Sequence, residues 1–185
     1  MKLLGAVAVL AAGTGAWAAD PGKAFKPAVT VCINPGANPT IFYRGQGVAT
    51  QLLKQADVRI EWRSDPRACA KVGHGIIVSG SLATPEDLHP GALAYALPFD
   101  RRRIVLFYDR VFNTLRPVGV PSLLGHVLAH EIVHILQGLE QHALSGIMKP
   151  RWDAHDYAEM QRGHLRFTAE DIALIHRGLD RWPAM

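Results

Sequence analysis

His130-Glu131-Ile132-Val133-His134 is the stretch of sequence that decides the fold, and it lies in an apolar segment that begins at Val120. Residues four apart share one face of a helix, so His130 and His134 present their imidazoles side by side. Two imidazoles in this arrangement supply two nitrogen ligands of a tetrahedral zinc ion. Glu131 lies beside them and is placed to act as a general base. The HExxH pattern therefore predicts a buried metal-binding helix over residues 121–137.

The residues after this helix extend the pattern. Gln137-Gly138 is a helix stop, because glycine adopts the left-handed C-terminal cap at little cost. His142 follows, and then Ile147-Met148-Lys149-Pro150. A zinc-binding helix ending at a glycine, a third histidine and a downstream methionine turn resemble the metzincin clan of zinc endopeptidases, and the turn looks like that of its matrixin branch. The resemblance implies an α+β fold of the zincin type, with a small mixed, twisted sheet packed on the zinc-binding helix and a C-terminal helix.

The resemblance also implies the residues of the site. His142 would join His130 and His134 as a ligand of Zn²⁺, and Glu131 would be the catalytic base. The spacing usual in the clan, H-E-x-x-H-x-x-G-x-x-H, would place the third ligand at Glu140. We expect His142 instead, because two more residues of chain after the helix stop allow it to return to the ion. Glu140 stays open as the alternative, as does a polar cluster further along the chain: Asp153, His155 and Asp156.

The length of 185 residues suits one domain with its own core. Residues 1–18 have the layout of a secretory signal peptide, with Lys2, an apolar run over residues 3–12 and the small-x-small site Ala16-Trp17-Ala18. The apolar run is too short to span a bilayer, so we expect no membrane anchor. The sequence predicts a single metallopeptidase-like domain over residues 19–185, located in the periplasm or outside the cell.

The charge of the chain indicates which partners it favours, and its two cysteines indicate a disulfide. The formal net charge is +4 and falls to +3 when Lys2 is removed with the signal peptide, which does not favour a nucleic-acid partner. The basic run at residues 101–103 is expected to cap a solvated turn. Cys32 and Cys69 are expected to form a disulfide in an oxidising compartment, with two buried thiols or a contact of Cys32 with the metal as the alternatives.

Hydrophobic patterning predicts the other elements. We expect strands at residues 29–33, 58–63, 75–79 and 104–108, loops at 34–39 and 85–90, and a helix at 47–56. Residues 92–97 are expected to form an edge strand, which by analogy with metzincins would hold an extended peptide. The last helix is expected to begin at Thr168, with Asp171 in a capping-box position. His126, one turn before the motif, is expected to be a core histidine with hydrogen-bond partners.

These features together predict an exported zinc endopeptidase that acts on a peptide or protein substrate as a monomer. Two other classes stay open: a zinc amidase for a small or cell-wall peptide, and a binding module that retains metal without turnover. Glu131 argues against the binding module, because a structural zinc site fills its fourth position with protein and needs no base. The alternative without a function is that the HExxH segment is a core helix whose histidines hydrogen-bond only to backbone groups.

Overall fold

The computed structural model describes residues 28–34, 38–65, 67, 69, 71, 75–86, 88–97, 99–100, 102–115 and 119–182. The expected signal peptide and the expected domain boundary at residue 19 lie outside these residues. Among the described helices, none combines the length and the apolar character that crossing a membrane requires.

The described strands form one mixed sheet. They are β1 (Val29–Ile33), β2 (Ile60–Arg63), β3 (Ile76–Ser81), β4 (Ala94–Leu97) and β5 (Arg103–Phe107). Their order is β2-β1-β3-β5-β4, in which all neighbours are parallel except β4, which runs antiparallel to β5. The central strands are rich in buried β-branched residues, as parallel strands covered on both faces require. Strand β4 lies at the edge of the sheet, as the sequence predicts, and one side of it has no partner among the described strands.

The main helices are α1 (Pro39–Lys54), α2 (Tyr108–Thr114), α3 (Val120–Gln137), α4 (Ala154–Arg162) and α5 (Ala169–Asp180). Helix α3 carries the HExxH motif and is buried along almost its whole length. It packs against α1, against β4 and against α5. An almost wholly apolar helix is stable only in such a central position. The α+β class, the small mixed sheet, the buried motif helix and the C-terminal helix are all confirmed.

Three helical segments differ from the sequence expectation. Helix α1 begins at Pro39 and not near Gly47, because proline fits the first turn of a helix, where no backbone N–H is needed. Helix α2 begins at Tyr108, which was expected to end strand β5. Helix α4 lies where no helix was expected, and Asp153, named as a possible metal ligand, caps its start. The capping box of Thr168 and Asp171 at the start of α5 is confirmed.

Cys32 and Cys69 form a disulfide, with Cα atoms 5.9 Å apart and a sequence separation of 37. Both side chains are fully buried. The bond ties β1, in the middle of the sheet, to the segment that leads into β3. Because both sulfurs are used in the bond, Cys32 is not a metal ligand.

Candidate metal centre

Helix α3 brings two imidazoles of the motif together. His130 and His134 lie one turn apart on its cleft face, and their Nε2 atoms are 3.0 Å from each other. A tetrahedral zinc ion about 2.0–2.1 Å from each nitrogen separates two such nitrogens by about 3.3 Å. The observed separation therefore suits two ligands of one small cation.

Backbone carbonyl groups orient these two rings. The Nδ1 atom of His130 is 2.8 Å from the carbonyl oxygen of Ile147, and that of His134 is 2.9 Å from the carbonyl oxygen of Leu139. A carbonyl oxygen only accepts, so each Nδ1 carries the proton and each Nε2 presents a lone pair. Two lone pairs facing each other at 3.0 Å repel unless a cation lies between them. The donor set therefore fits a metal ion.

Gly138 sends the chain back toward the ligands. It ends helix α3 with a φ of +66°, the left-handed conformation that glycine adopts without a side-chain clash. The reversal places the Leu139 carbonyl against His134 and returns His142 to the site. The His142 ring lies 4.8 Å from that of His134 and 5.3 Å from that of His130, measured between centroids.

One nitrogen from each of the three histidines lies within 4.8 Å of the other two. His142 is the exposed member of the group, and His130 and His134 are buried. Glu140 lines the same cleft but is not part of this group. The structure thus places His142, and not Glu140, beside the two histidines of the helix.

The polar cluster after the methionine turn has a structural role. The carboxylate of Asp153 accepts hydrogen bonds from the backbone N–H groups of His155 and Asp156, and that of Asp156 accepts one from Asp153. Lys149 bonds to both carboxylates, at 2.7 Å and 2.6 Å. This capping box and ion-pair network starts helix α4. Neither carboxylate belongs to the histidine group.

The methionine turn supports the site from below. Met148 and Ile147 are buried, and the Met148 carbonyl accepts a hydrogen bond from the backbone of Ala143, next to His142. The ring of Trp152 lies edge-on to that of His130, with centroids 5.6 Å apart, and its indole N–H donates to the Gly146 carbonyl. The turn therefore fixes both His130 of helix α3 and the segment that carries His142.

Burial sets the protonation states of the helix histidines. It lowers the pKa of His130 to about 3, with a further contribution from His134. It also lowers the pKa of His134 to about 4 and shifts that of His142 downward. All three imidazoles are therefore neutral at pH 7, which is the state that binds a metal.

Glu131 is buried beside the histidines, with 7% of its surface exposed. Burial raises the pKa of its carboxyl to about 8, while a hydrogen bond from the backbone N–H of Ala96 acts in the opposite direction. Ala96 belongs to the edge strand β4. The carboxyl group is thus held between the metal-binding helix and the free edge of the sheet.

His126 does not line the metal centre. Its Nδ1–H donates to the carbonyl of Ser122 at 2.8 Å, and its Nε2 accepts from the backbone N–H of Leu165 at 3.2 Å. The ring is fully buried with both nitrogens bonded. It is a core histidine that ties helix α3 to the segment before α5.

A cleft of about 640 Å³ contains the site. One rim consists of residues 89–96, which include β4, and the other of residues 149–152 with Tyr157. The floor is helix α3, with Val127 beside the motif residues. Arg151 and Trp152 were not identified from the sequence as residues of the site. The backbone groups that orient the histidines and Glu131 were also missed, because a backbone carbonyl or N–H group is the same in nearly every residue type.

No family model and no curated protein sequence matches the chain. Solved structures similar to the chain include two zinc-peptidase structures. A zinc-dependent peptidase from Methanocorpusculum labreanum has a TM-score of 0.56 at 12% identity, covering 80% of this chain and 99% of that one. Archaemetzincin from Methanopyrus kandleri has a TM-score of 0.51 at 17% identity, covering 83% and 97%. The chain therefore has the metzincin-like α+β fold that these zinc-peptidase structures share.

Proposed function

We propose that this protein is an exported zinc-dependent peptidase that hydrolyses an internal bond of a peptide substrate. The observation that carries the proposal is the three-histidine group beside a buried carboxyl group, in a cleft bounded by a free sheet edge. The similarity in fold to two structures described as a zinc-dependent peptidase and an archaemetzincin supports it.

His130, His134 and His142 would hold the zinc ion. Three neutral imidazoles leave its double charge uncompensated and one position open to solvent, as in catalytic zinc sites. When bound, the ion would supply Lewis acidity that brings the pKa of water toward 7. Among the described residues the group has three histidines and no fourth protein ligand, which favours catalysis over a purely structural zinc site.

Glu131 would serve as the general base. Its position beside the ligands lets it accept a proton from the attacking water and deliver it to the leaving amine. A cation held by the adjacent imidazoles favours the ionised carboxylate and so lowers the raised pKa again. The N–H of Ala96 fixes the carboxyl orientation.

The free edge of β4 would bind the peptide backbone. Residues 92–96 line the cleft opposite the histidines, and on the cleft side β4 has no strand partner in the described sheet. An extended peptide added there would make main-chain hydrogen bonds largely independent of sequence. Its carbonyl groups would pass close to Glu131, which contacts the same strand.

The signal peptide layout and the disulfide support export. Buried disulfides persist in oxidising compartments, and the bond between Cys32 and Cys69 suits the periplasm or the exterior. Detection of the mature protein in the periplasmic or secreted fraction, beginning at Ala19, would test this part of the proposal.

The activity is tested with a broad peptide library and the purified, zinc-loaded protein. Cleavage products are identified by mass spectrometry with and without a zinc chelator, and then after zinc is restored. We expect cleavage that the chelator abolishes and zinc restores. Absence of cleavage in the zinc-loaded sample, or cleavage that persists with chelator, contradicts the proposal. Hydrolysis of small amides alone would indicate the amidase class.

A further inference from the structure

Arg151 joins the two rims of the cleft. This residue follows the methionine turn on one rim, and its guanidinium donates a hydrogen bond to the Pro90 carbonyl on the opposite rim at 3.3 Å. The same Nη2 atom lies within 3.5 Å of both ring nitrogens of His89. The contact joins residues about 60 positions apart in sequence and spans the cleft where the chain enters β4.

The loop that Arg151 meets is itself anchored. Arg110, in helix α2, donates hydrogen bonds from Nη1 to the carbonyl oxygens of His89 and Ala92, each at 2.9 Å. The loop is therefore held by two guanidinium groups, of which only Arg151 lines the cleft. The two rims are therefore joined at this point, and an extended chain lying along β4 would meet the Arg151 contact there.

The charge of Arg151 is available to a ligand. Its neighbour in the cleft, Lys149, is neutralised by Asp153 and Asp156. Among the described residues, no carboxylate forms an ion pair with Arg151, whose partners there are a carbonyl oxygen and an imidazole. A planar guanidinium with free N–H groups is suited to bind a carboxylate through two parallel hydrogen bonds.

The direction of β4 decides which end of a bound peptide lies next to Arg151. Antiparallel pairing is the more stable and more frequent arrangement at a sheet edge. A peptide antiparallel to β4 has its C-terminal side at the start of β4, where Arg151 lies. From Ala96, which contacts Glu131, to Ala94, where β4 begins, is two residue steps, or roughly 7 Å at about 3.3 Å per residue, and the loop that Arg151 contacts at Pro90 lies beyond Ala94. The stretch from Ala96 to that loop accommodates roughly two to four residues after the scissile bond.

We propose that Arg151 binds the free α-carboxylate of the substrate, so that the enzyme releases short fragments from the C-terminal ends of peptides. This inference rests on the proposed function and narrows its substrate class. In the reaction, the oxygen of water bonds to the scissile carbonyl carbon and the C–N bond breaks. The proton passes to the amine of the released fragment, whose carboxylate stays bound to Arg151.

Binding of paired peptides tests the assignment without turnover. The probes are N-terminally fluorescent hexapeptide pools of one composition without acidic residues, one with a free C-terminal carboxylate and one amidated. Fluorescence anisotropy gives their dissociation constants for the zinc-loaded E131Q protein. We expect the free acid to bind about five- to tenfold more tightly. Adding Arg151→Gln should bring the ratio near one, and Arg151→Lys should retain part of it.

Arg177→Gln on the same background is the matched control, because Arg177 is an exposed arginine of helix α5 that does not line the cleft. It removes the same charge and should leave the ratio unchanged. Equal binding of acid and amide by the parent protein, no binding of either pool, or a ratio that survives Arg151→Gln would overturn the inference. So would equally tight binding of an amidated pool that carries an internal aspartate.

Hydrolysis separates this inference from the proposed function. With the wild-type enzyme and longer peptides, cuts within about four residues of a free C-terminus agree with both. Equal cutting of amidated peptides at sites distant from the end leaves the zinc peptidase standing and rejects the role of Arg151. Complete absence of zinc-dependent cleavage rejects the proposed function, while the binding ratio still decides whether Arg151 recognises a carboxylate.

Discussion

At the scale of single residues, backbone groups do most of the positioning in the candidate site. The carbonyl groups of Ile147 and Leu139 select the tautomers of His130 and His134, and the N–H of Ala96 holds Glu131. These contacts explain why the methionine turn and the helix stop lie where they do. Each presents a carbonyl to a ligand that the helix alone would leave free to rotate.

The assignment of the third ligand belongs to this scale. His142→Ala removes one of the three grouped imidazoles. We expect zinc affinity to fall by at least about a hundredfold, because only two protein ligands then remain to bind the ion. Glu140→Ala, the matched control from the same loop, should change affinity by less than about threefold. Competition with a chromophoric chelator measures both. Loss of zinc in Glu140→Ala with retention in His142→Ala would contradict the assignment.

The residue types of the site could be predicted because HExxH combines chemistry with a fixed helical spacing. The choice between His142 and Glu140 rested on chain reach after the helix stop, and the structure places His142 with the pair. The sequence could not show whether Asp153 and Asp156 cap a helix or bind a metal, because capping boxes and metal sites use the same residue types. Their position at a helix start explains them.

At the scale of elements, helix α3 must approach α1 closely to lie at the centre of the fold. A Cβ atom added at Gly125 would lie 2.4 Å from the Cβ of Val48 and 2.8 Å from the carbonyl oxygen of Gly45. A Cβ atom at Gly47, in α1 near the same crossing, would meet nothing within 4 Å. The crossing therefore depends on one glycine and not on the other.

Gly125→Ala and Gly47→Ala should therefore change stability in opposite directions. Overpacking at the crossing costs about 1–3 kcal/mol, which exceeds the gain of up to about 1 kcal/mol from the better helix former. Gly47→Ala keeps only that gain, so it should raise the free energy of unfolding by about 0.5–1 kcal/mol. Urea denaturation measures both. Stabilisation by Gly125→Ala would show that the helices do not meet at this residue.

Element prediction followed the strength of the periodic signal. Long or strongly apolar segments, such as α3 and strands β1, β3 and β5, were located to within two residues. Helices α2 and α4, of seven and nine residues, were missed because they are too short for a clear period. The start of α1 was missed because two glycines and a proline argue against a helix locally, whereas packing against α3 stabilises it.

At the scale of the whole molecule, the disulfide closes a loop that contains α1 and β2. Cys32 lies in the middle of the sheet, and Cys69 approaches it from the segment before β3, with its sulfur 3.4 Å from the Ile76 carbonyl. The bond thus restricts residues 32–69, which include α1 and β2, in the unfolded state. Its effect on stability should be global rather than confined to the metal centre.

Removing the disulfide tests this claim. On the chain-entropy model, a loop of this length stabilises by about 4 kcal/mol. Cys32→Ala should lower the free energy of unfolding by about that amount and expose one thiol, and the double replacement of Cys32 and Cys69 should cost a similar amount. Thiol titration of the denatured, unreduced wild type should find none. Two free thiols there, or a loss under about 1 kcal/mol, would contradict the role of the bond.

The fold class was predictable from sequence, but the strand order was not. Patterning identifies strands, and the motif helix implies that something must cover it, yet nothing local specifies the order β2-β1-β3-β5-β4. That order depends on parallel pairs such as Val31 with Ile76, which are distant in sequence. The identities of 12% and 17% to the two similar structures show how little sequence the shared architecture requires. The contact of Arg151 with Pro90 across the cleft is likewise a property of the whole arrangement.

The central claim is that three histidines hold zinc while Glu131 performs the proton transfer. The most direct measurement is the peptide hydrolysis rate of Glu131→Gln at full zinc occupancy, with metal content determined on the same sample. Because glutamine keeps the shape but cannot accept the proton, we expect zinc at one ion per chain and a rate about 10²–10⁴-fold below wild type. Hydrolysis at the wild-type rate in the zinc-loaded variant would contradict the account.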